Sequence, residues 1–300
     1  MSEISDLTTQ MAGLKGQLER IEVALADVRR LVGPFGAVFP DGSLLVQTLY
    51  GTKYFIDPSD DIMAPQLVVY RQWEPDLSKF MLSAVNKDTV FVDVGANFGY
   101  FTCLLASKIG VGGVGQVIAV EPNPKMIGLL RRNISINWSM APVVVHECAV
   151  SNCSGFVELS VPEGRAANAG MVGLVKSPKL ANESRFIVQS KPLIDILPDQ
   201  PIDLIKVDVE GFEILVLSDI GRVFYKSPRL IVVMEWSPVQ MLAAGFSVDD
   251  FIDIMSANSF GAFRIPPGAG GFHDSARELE ITNESLRVMS CDNIILARLP

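Results

Sequence analysis

Asp93, Gly95, Asn97 and Gly99 follow one another inside V-F-V-D-V-G-A-N-F-G-Y-F, which begins at Val90. Glu121 ends the run V-I-A-V-E from Val117, and Lys206, Asp208 and Glu210 share D-L-I-K-V-D-V-E-G from Asp203. Each stretch is an apolar, β-branched run that stops at acids and small residues. Parallel strands covered on both faces read this way, with polar groups gathered where their carboxyl ends open onto a ligand crevice. Glycines at such a turn let the backbone approach a ligand that a Cβ would hold away.

A nicotinamide dinucleotide would also use a glycine turn and an acid on the next strand, here Glu121, to hold ribose hydroxyls. The spacing speaks against it. Gly95 and Gly99 form G-x-x-x-G rather than G-x-G-x-x-G, and Asn97 stands where a pyrophosphate needs a bare glycine. Asp93, just before the turn, repels a pyrophosphate and attracts an ammonium. An adenosine ligand that carries an amino acid instead of a phosphate meets both conditions, and S-adenosylmethionine is such a ligand. Methyl transfer from its sulfonium is an in-line displacement, accelerated largely by proximity and orientation. An alcohol acceptor must also lose a proton to a base within hydrogen-bond reach.

Alternation puts Lys206, Asp208 and Glu210 on one side of their strand, so Asp208 and Glu210 are the leading base or acceptor-orienting candidates. Glu235, ending the next apolar run, follows them. A lysine inside a buried strand needs a carboxylate, and Asp93, Asp208 or Glu235 could supply it. Lys206 and its partner then either neutralise one another or serve catalysis. His273, behind the glycine-rich I-P-P-G-A-G-G-F, is a base candidate or a solvated loop position. His146 reads as a structural histidine or an adenine neighbour. Four cysteines, Cys103, Cys148, Cys153 and Cys291, lack C-x-x-C spacing. Reduced thiols and metal-independent transfer are therefore expected.

With these motifs the chain resembles the FkbM family of S-adenosylmethionine-dependent methyltransferases from about Tyr50 onward. Similar to that family are W-E-P at residues 73–75, D-V-G-A-N-F-G-Y-F-T at 93–102, E-P-N-P at 121–124 and N-I-S-I-N at 133–137. So are A-V-S-N from Ala149, the N-x-G of Asn168 and Gly170, I-K-V-D-V-E-G at 205–211, and the acid Glu235. The chain departs from the pattern at Ile194, where the family usually has an aspartate before Asp195, and at Asn152, where an aspartate is more usual. The resemblance implies a Rossmann-like fold of the class I methyltransferase type, and a cofactor set of Glu74, Asp93, Gly95, Asn97, Gly99, Tyr100, Glu121, Asn123 and Ala149. It also implies transfer to a hydroxyl of a sugar, glycan or natural-product intermediate. Transfer to nitrogen, or a coiled-coil scaffold that binds cofactor without turnover, are the alternatives.

The elements that must position these residues can be read around them. Helix at 100–109, strand at 117–120, helix at 124–137 and strand at 143–146 give the βαβα order of a doubly wound, mostly parallel sheet. Residues 33–56 read as a hairpin, and 61–85 as helix interrupted at Pro65 and Pro75. Residues 151–201 break the alternation, with strands at 157–161 and 186–189, and are expected to form a lid over the acceptor. The core resumes with a strand at 204–207, a helix at 211–219, a strand at 230–234, a helix at 248–257 and final strands near Phe263 and Asn293.

At the amino end Ile4, Leu7, Met11, Leu14, Leu18, Ile21, Leu25, Val28 and Val32 alternate by three and four, a heptad seam. Gly13 and Gly16 weaken the isolated helix, so a homo-oligomer or a coiled-coil partner is expected through residues 4–32. Its e and g positions, such as Thr8, Lys15, Gln10 and Gln17, carry little charge. The expected organisation is a coiled-coil helix at 1–32, a lead-in at 33–88 and the cofactor-binding domain at 89–300. A net charge of −9 opposes nucleic acid and anionic membrane as partners. No apolar run reaches spanning length, and a cytoplasmic location is expected.

Overall fold

The computed structural model describes residues 2–31, 36–162, 170–172, 183–266, 272 and 276–298. It begins with helix α1 (Ser2–Leu31), whose Met11, Leu14, Leu18, Ile21, Leu25 and Val28 are all exposed. Strands β1 (Gly36–Val38), β2 (Leu44–Gln47) and β3 (Lys53–Ile56) pair antiparallel in that order, so the expected hairpin is a three-stranded meander. Pro65 does not interrupt helix α2 (Met63–Val69). It sits in the first turn, where its missing N–H has no intrahelical acceptor to forgo. Pro75 opens α3 (Pro75–Ser83) at the position that suits proline, and Glu74 precedes it in a left-handed conformation, φ +40°.

Then the alternation sets in: β4 (Val90–Val94), α4 (Tyr100–Ile109), β5 (Gln116–Val120), α5 (Pro124–Ile136) and β6 (Val143–His146). Every residue of β4 is buried, as its unbroken apolar run requires. Strands β7 (Ala149–Val150), β8 (Gly155–Pro162), β9 (Gly170–Val172) and β10 (Glu183–Lys191) form a separate sheet in the order β7-β10-β8-β9. The insertion is therefore a small sheet with an ordered ladder, in which β8 and β10 pair antiparallel from Gly155 to Pro162.

The main sheet continues with β11 (Leu204–Val207), helices α6 (Glu213–Leu217) and α7 (Ile220–Lys226), and β12 (Ile231–Trp236). The single helix expected at 211–219 starts later, because Glu210 and Gly211 both take positive φ, +56° and +97°, and it ends at Leu217. Helices α8 (Pro238–Ala243) and α9 (Val248–Asn258), strands β13 (Gly261–Arg264) and β14 (Glu280–Ile281), helix α10 (Asn283–Val288) and β15 (Asp292–Ala297) complete the described chain. The eight strands lie in the order β14-β13-β15-β12-β11-β4-β5-β6. From β12 to β6 all neighbours are parallel, and β15 inserts antiparallel between β12 and β13.

Alternation along the strands divides the core into two layers. Val92, Val94, Ile205 and Val207 pack on one face of the sheet, while Phe91, Leu204, Phe101 and Leu104 pack on the other. Asp93 and Lys206 are direct cross-strand neighbours on that second face. Among the described residues no helix is long and apolar enough to cross a membrane.

Candidate active site

The chain leaves β4 toward β5 on one side and meets β11 on the other, which makes the carboxyl ends of β4 and β11 a topological switch point where α/β sheets bind ligands. A cavity of about 320 Å³ opens there. Its floor is the turn after β4. The amides of Gly95 and Ala96 donate to the Val120 carbonyl at 2.9 and 3.0 Å. Gly95 has φ +80°, and a Cβ on it would stand 1.8 Å from the Asp208 carbonyl oxygen. This turn needs glycine to let the tips of β4 and β11 touch.

Asn97 continues the turn in a left-handed conformation, and its amide donates to Glu121 Oε2 at 2.8 Å. The Asn123 amide donates to Glu121 Oε1, also at 2.8 Å. Glu121 is thereby fixed at the tip of β5, with its pKa raised by burial to about 7 while the two amides pull it down. Asp93, only 1% exposed, accepts from the Thr102 hydroxyl through Oδ2 at 2.6 Å, and its buried Oδ1 has no hydrogen-bond partner. Burial raises the Asp93 pKa, and Lys206 opposes that shift.

Of the three carboxylates expected to pair with Lys206, Asp208 is the one that does, with Nζ 2.7 Å from Oδ2. The ammonium also lies 5.0 Å from the centre of the Phe101 ring. Burial works against its charge, but Asp208, Asp93 and Glu74 outweigh burial and hold its pKa above the usual lysine value. Lys206 is thus a fixed cation and no base at neutral pH.

On the outer wall each acid has at least one donor, and Glu74 is also engaged by the Trp73 side chain. The Gln240 amide donates to Glu210 Oε2 at 2.6 Å, Asn293 donates to Glu74 Oε1 at 2.9 Å, and the Cys291 thiol donates to Glu235 Oε1 at 3.3 Å. Burial raises the pKa of Glu210 to about 7, reinforced by the charges of Asp208 and Glu235. Glu213, behind the loop, accepts the amides of Val209 and Gly211 through Oε1 at 3.3 and 3.2 Å and so holds Glu210 in place. Ile62, Met63 and Trp73 give the mouth an apolar side, and Leu159 of β8 reaches the crevice from the small sheet.

Glu74, Asp93, Gly95, Asn97, Tyr100, Glu121, Ala149, Lys206, Asp208, Glu210 and Glu235 therefore line one cavity. Two residues of the expected cofactor set do not. Gly99 caps α4 at φ +92° and packs toward Leu130, and the Asn123 side chain caps α5 through the Lys125 amide. Both build the wall rather than line it. The Tyr100 hydroxyl is engaged by the Trp73 amide at 3.1 Å. His273 lies outside the described residues. Gln240, Asn293, Cys291 and Glu213 carry no motif that would have singled them out, whereas Trp73 sat in W-E-P beside Glu74. Among the described residues no group of three or more His, Cys, Asp or Glu is placed to hold a metal ion.

The family description "Methyltransferase FkbM domain" matches residues 93–261. The chain is 30% identical over 174 residues to "Methyltransferase sdnD" of Sordaria araneosa, a stretch that is 49% of this chain and 66% of that relative, just under two thirds of its length. Solved structures similar to it include precorrin-6y C5,15-methyltransferase from Geobacter metallireducens GS-15, at a TM-score of 0.38 and 14% identity over 75% of this chain and 88% of that one. M. jannaschii TYW2 in complex with AdoMet is another, at a TM-score of 0.40 and 14% identity over 85% and 84% of the two chains.

Proposed function

The chain belongs to the FkbM methyltransferase family, and on that premise we propose that it is an S-adenosylmethionine-dependent methyltransferase that methylates a hydroxyl of a sugar, glycan or natural-product intermediate. The observation that carries the reading is the pairing of two acids with the glycine turn: Glu121 tied to it by the Asn97 amide, and Asp93 beneath it with an oxygen lacking any donor. Each Glu121 oxygen accepts one amide and keeps capacity for a ribose hydroxyl. The orphaned Asp93 Oδ1 calls for a cationic donor such as an α-ammonium. Bound here, the cofactor would supply a methyl group made electrophilic by its sulfonium.

For the acceptor, the residue suited to take a proton is Glu210. Its pKa of about 7 balances availability of the carboxylate against basicity at neutral pH. Asp208 is already engaged by the Lys206 ammonium at 2.7 Å. That pair instead fixes a charged platform between cofactor and acceptor. Ile62, Met63 and Trp73 supply apolar surface to the mouth. An alcohol must lose its proton in the transfer, and Glu210 is placed to take it; turnover itself distinguishes an enzyme from a cofactor-binding scaffold. Analysis of the methylated product tests the choice of atom, and an N-methyl product overturns it.

Glu121→Ala is expected to weaken binding of S-adenosylmethionine about 10- to 100-fold by calorimetry, since hydrogen bonds to a charged group contribute roughly 1.5–3 kcal/mol. Unchanged affinity, or a preference for a nicotinamide dinucleotide, defeats the cofactor assignment.

We further propose that α1 pairs antiparallel with α1 of a second copy. Its apolar seam is exposed along its described length, from Met11 at 69% to Val28 at 53%, and among the described residues no core of the same chain covers it. With Leu18 set opposite Ile21 of the other helix, the flanking e positions bring Lys15 to Glu22 twice, whereas a parallel register sets both against glutamine. Light scattering should give a dimer for the full chain and a monomer for Leu18→Lys with Ile21→Lys. A monomeric wild-type chain sinks the pairing.

A further inference from the structure

Resting on the methyl-transfer reading of the crevice, we infer that its acceptor side admits hydroxyl-rich molecules that are neutral or cationic and rejects those that carry phosphate. The wall beyond Lys206 is made of Glu74, Asp208, Glu210 and Glu235. Each of the wall's donors turns a hydrogen toward one of these acids, which leaves fewer of them for an anion. Lys206 gives its ammonium to Asp208, Gln240 its amide N–H to Glu210, Asn293 its amide N–H to Glu74, and Cys291 its thiol to Glu235. Among the described lining residues Lys206 is the one cation, and it is buried at the back of the wall.

Oxygen is what remains to greet a ligand. On the acceptor wall the Gln240 Oε1 atom is buried without a donor. Buried acceptors without donors are costly until a ligand supplies an O–H or N–H. A hydroxyl-rich acceptor does so. A phosphate brings only more acceptors, and at each step of its approach it meets like charge in a low-dielectric cleft. Polynucleotides fall under the same exclusion.

The consequence for reaction order is direct. If the acceptor is a sugar, methylation acts on its phosphate-free form, so the supplying reaction is one that has already released any phosphate or nucleotide diphosphate, as a glycosyl transfer does.

Inorganic pyrophosphate is the probe, titrated by calorimetry into the full chain with and without S-adenosylhomocysteine, whose own binding is measured first. Wild type should show no binding. The variant Glu74→Gln, Glu210→Gln, Glu235→Gln, in which Lys206 is no longer outnumbered, should bind pyrophosphate at least tenfold more tightly. Thermal unfolding confirms that the variant is folded, and the pair Glu74→Gln, Glu235→Gln serves if it is not. Pyrophosphate binding to wild type, or undetectable or equal binding in both proteins, overturns the inference. Failure of S-adenosylhomocysteine to bind overturns the cofactor reading instead.

Discussion

Glu210→Gln lowers methyl turnover by about a hundredfold or more and leaves the affinity for S-adenosylmethionine as it was. The side chain lies on the acceptor wall, held by Gln240 at 2.6 Å, and the cofactor set at the tips of β4 and β5 does not include it. Glutamine keeps the shape and loses the proton-accepting charge. Because burial lifts the Glu210 carboxyl to about 7, wild-type turnover rises with pH through that value, and the variant lacks this limb. The same shift has a stability consequence. The folded chain holds a proton that the unfolded chain releases near pH 4.3, so folding loses stability as pH rises from there through about 7. Glutamine carries no such proton, and the variant should melt above wild type at pH 8 and draw level with it in acid. Wild-type turnover in Glu210→Gln would falsify the assignment and move the proton to Asp208 or His273, or leave proximity alone to drive transfer.

Gly95→Ala disables the site from beneath. The new methyl group would stand 1.8 Å from the Asp208 carbonyl oxygen, a backbone atom that cannot swing away, at φ +80°. Overpacking of this kind costs roughly 1–3 kcal/mol, and left-handed backbone adds about 1–2 kcal/mol for an L residue. The tips of β4 and β11 must part, which displaces Asp208 and the Asn97 amide together. A melting temperature lower by roughly 5–15 °C and cofactor binding beyond detection are expected, by calorimetry on both counts. Wild-type melting and affinity would mean that the turn yields easily and that Gly95 is not what joins the two strands.

Much of the crevice was legible because its residues sit on regular, local patterns. The run from Val90 announces a strand buried on both faces, and period-two alternation puts Lys206 and Asp208 on one side of their strand, where they form an ion pair. The bounds of α4 follow from the glycine before Tyr100 and the one after Ile109. Illegible were the residues that approach from elsewhere. Asn293 meets Glu74 across 219 positions, and Gln240 meets Glu210 from a helix that no motif announced. Spacing could not separate a residue that lines a wall from one that builds it, as Gly99 and Asn123 illustrate. Pro65 misled because a proline in a first turn and a proline between helices look alike in sequence.

The insertion of β15 between β12 and β13 bears on how the chain is made. Translation delivers β12 and β13 first, yet in the finished sheet the later strand separates them. Until β15 arrives, β12 has hydrogen-bonding groups along one side with nothing to join, and Val232, Val233 and Met234, which end fully buried, lack half their cover. A neighbouring nascent chain offers the same sequence in the same half-made state, and an open strand edge is where such chains join. Sheet closure in this protein is therefore a late, non-local event in biosynthesis, and the interval before it is when crowding on a polysome and chaperone supply decide the yield.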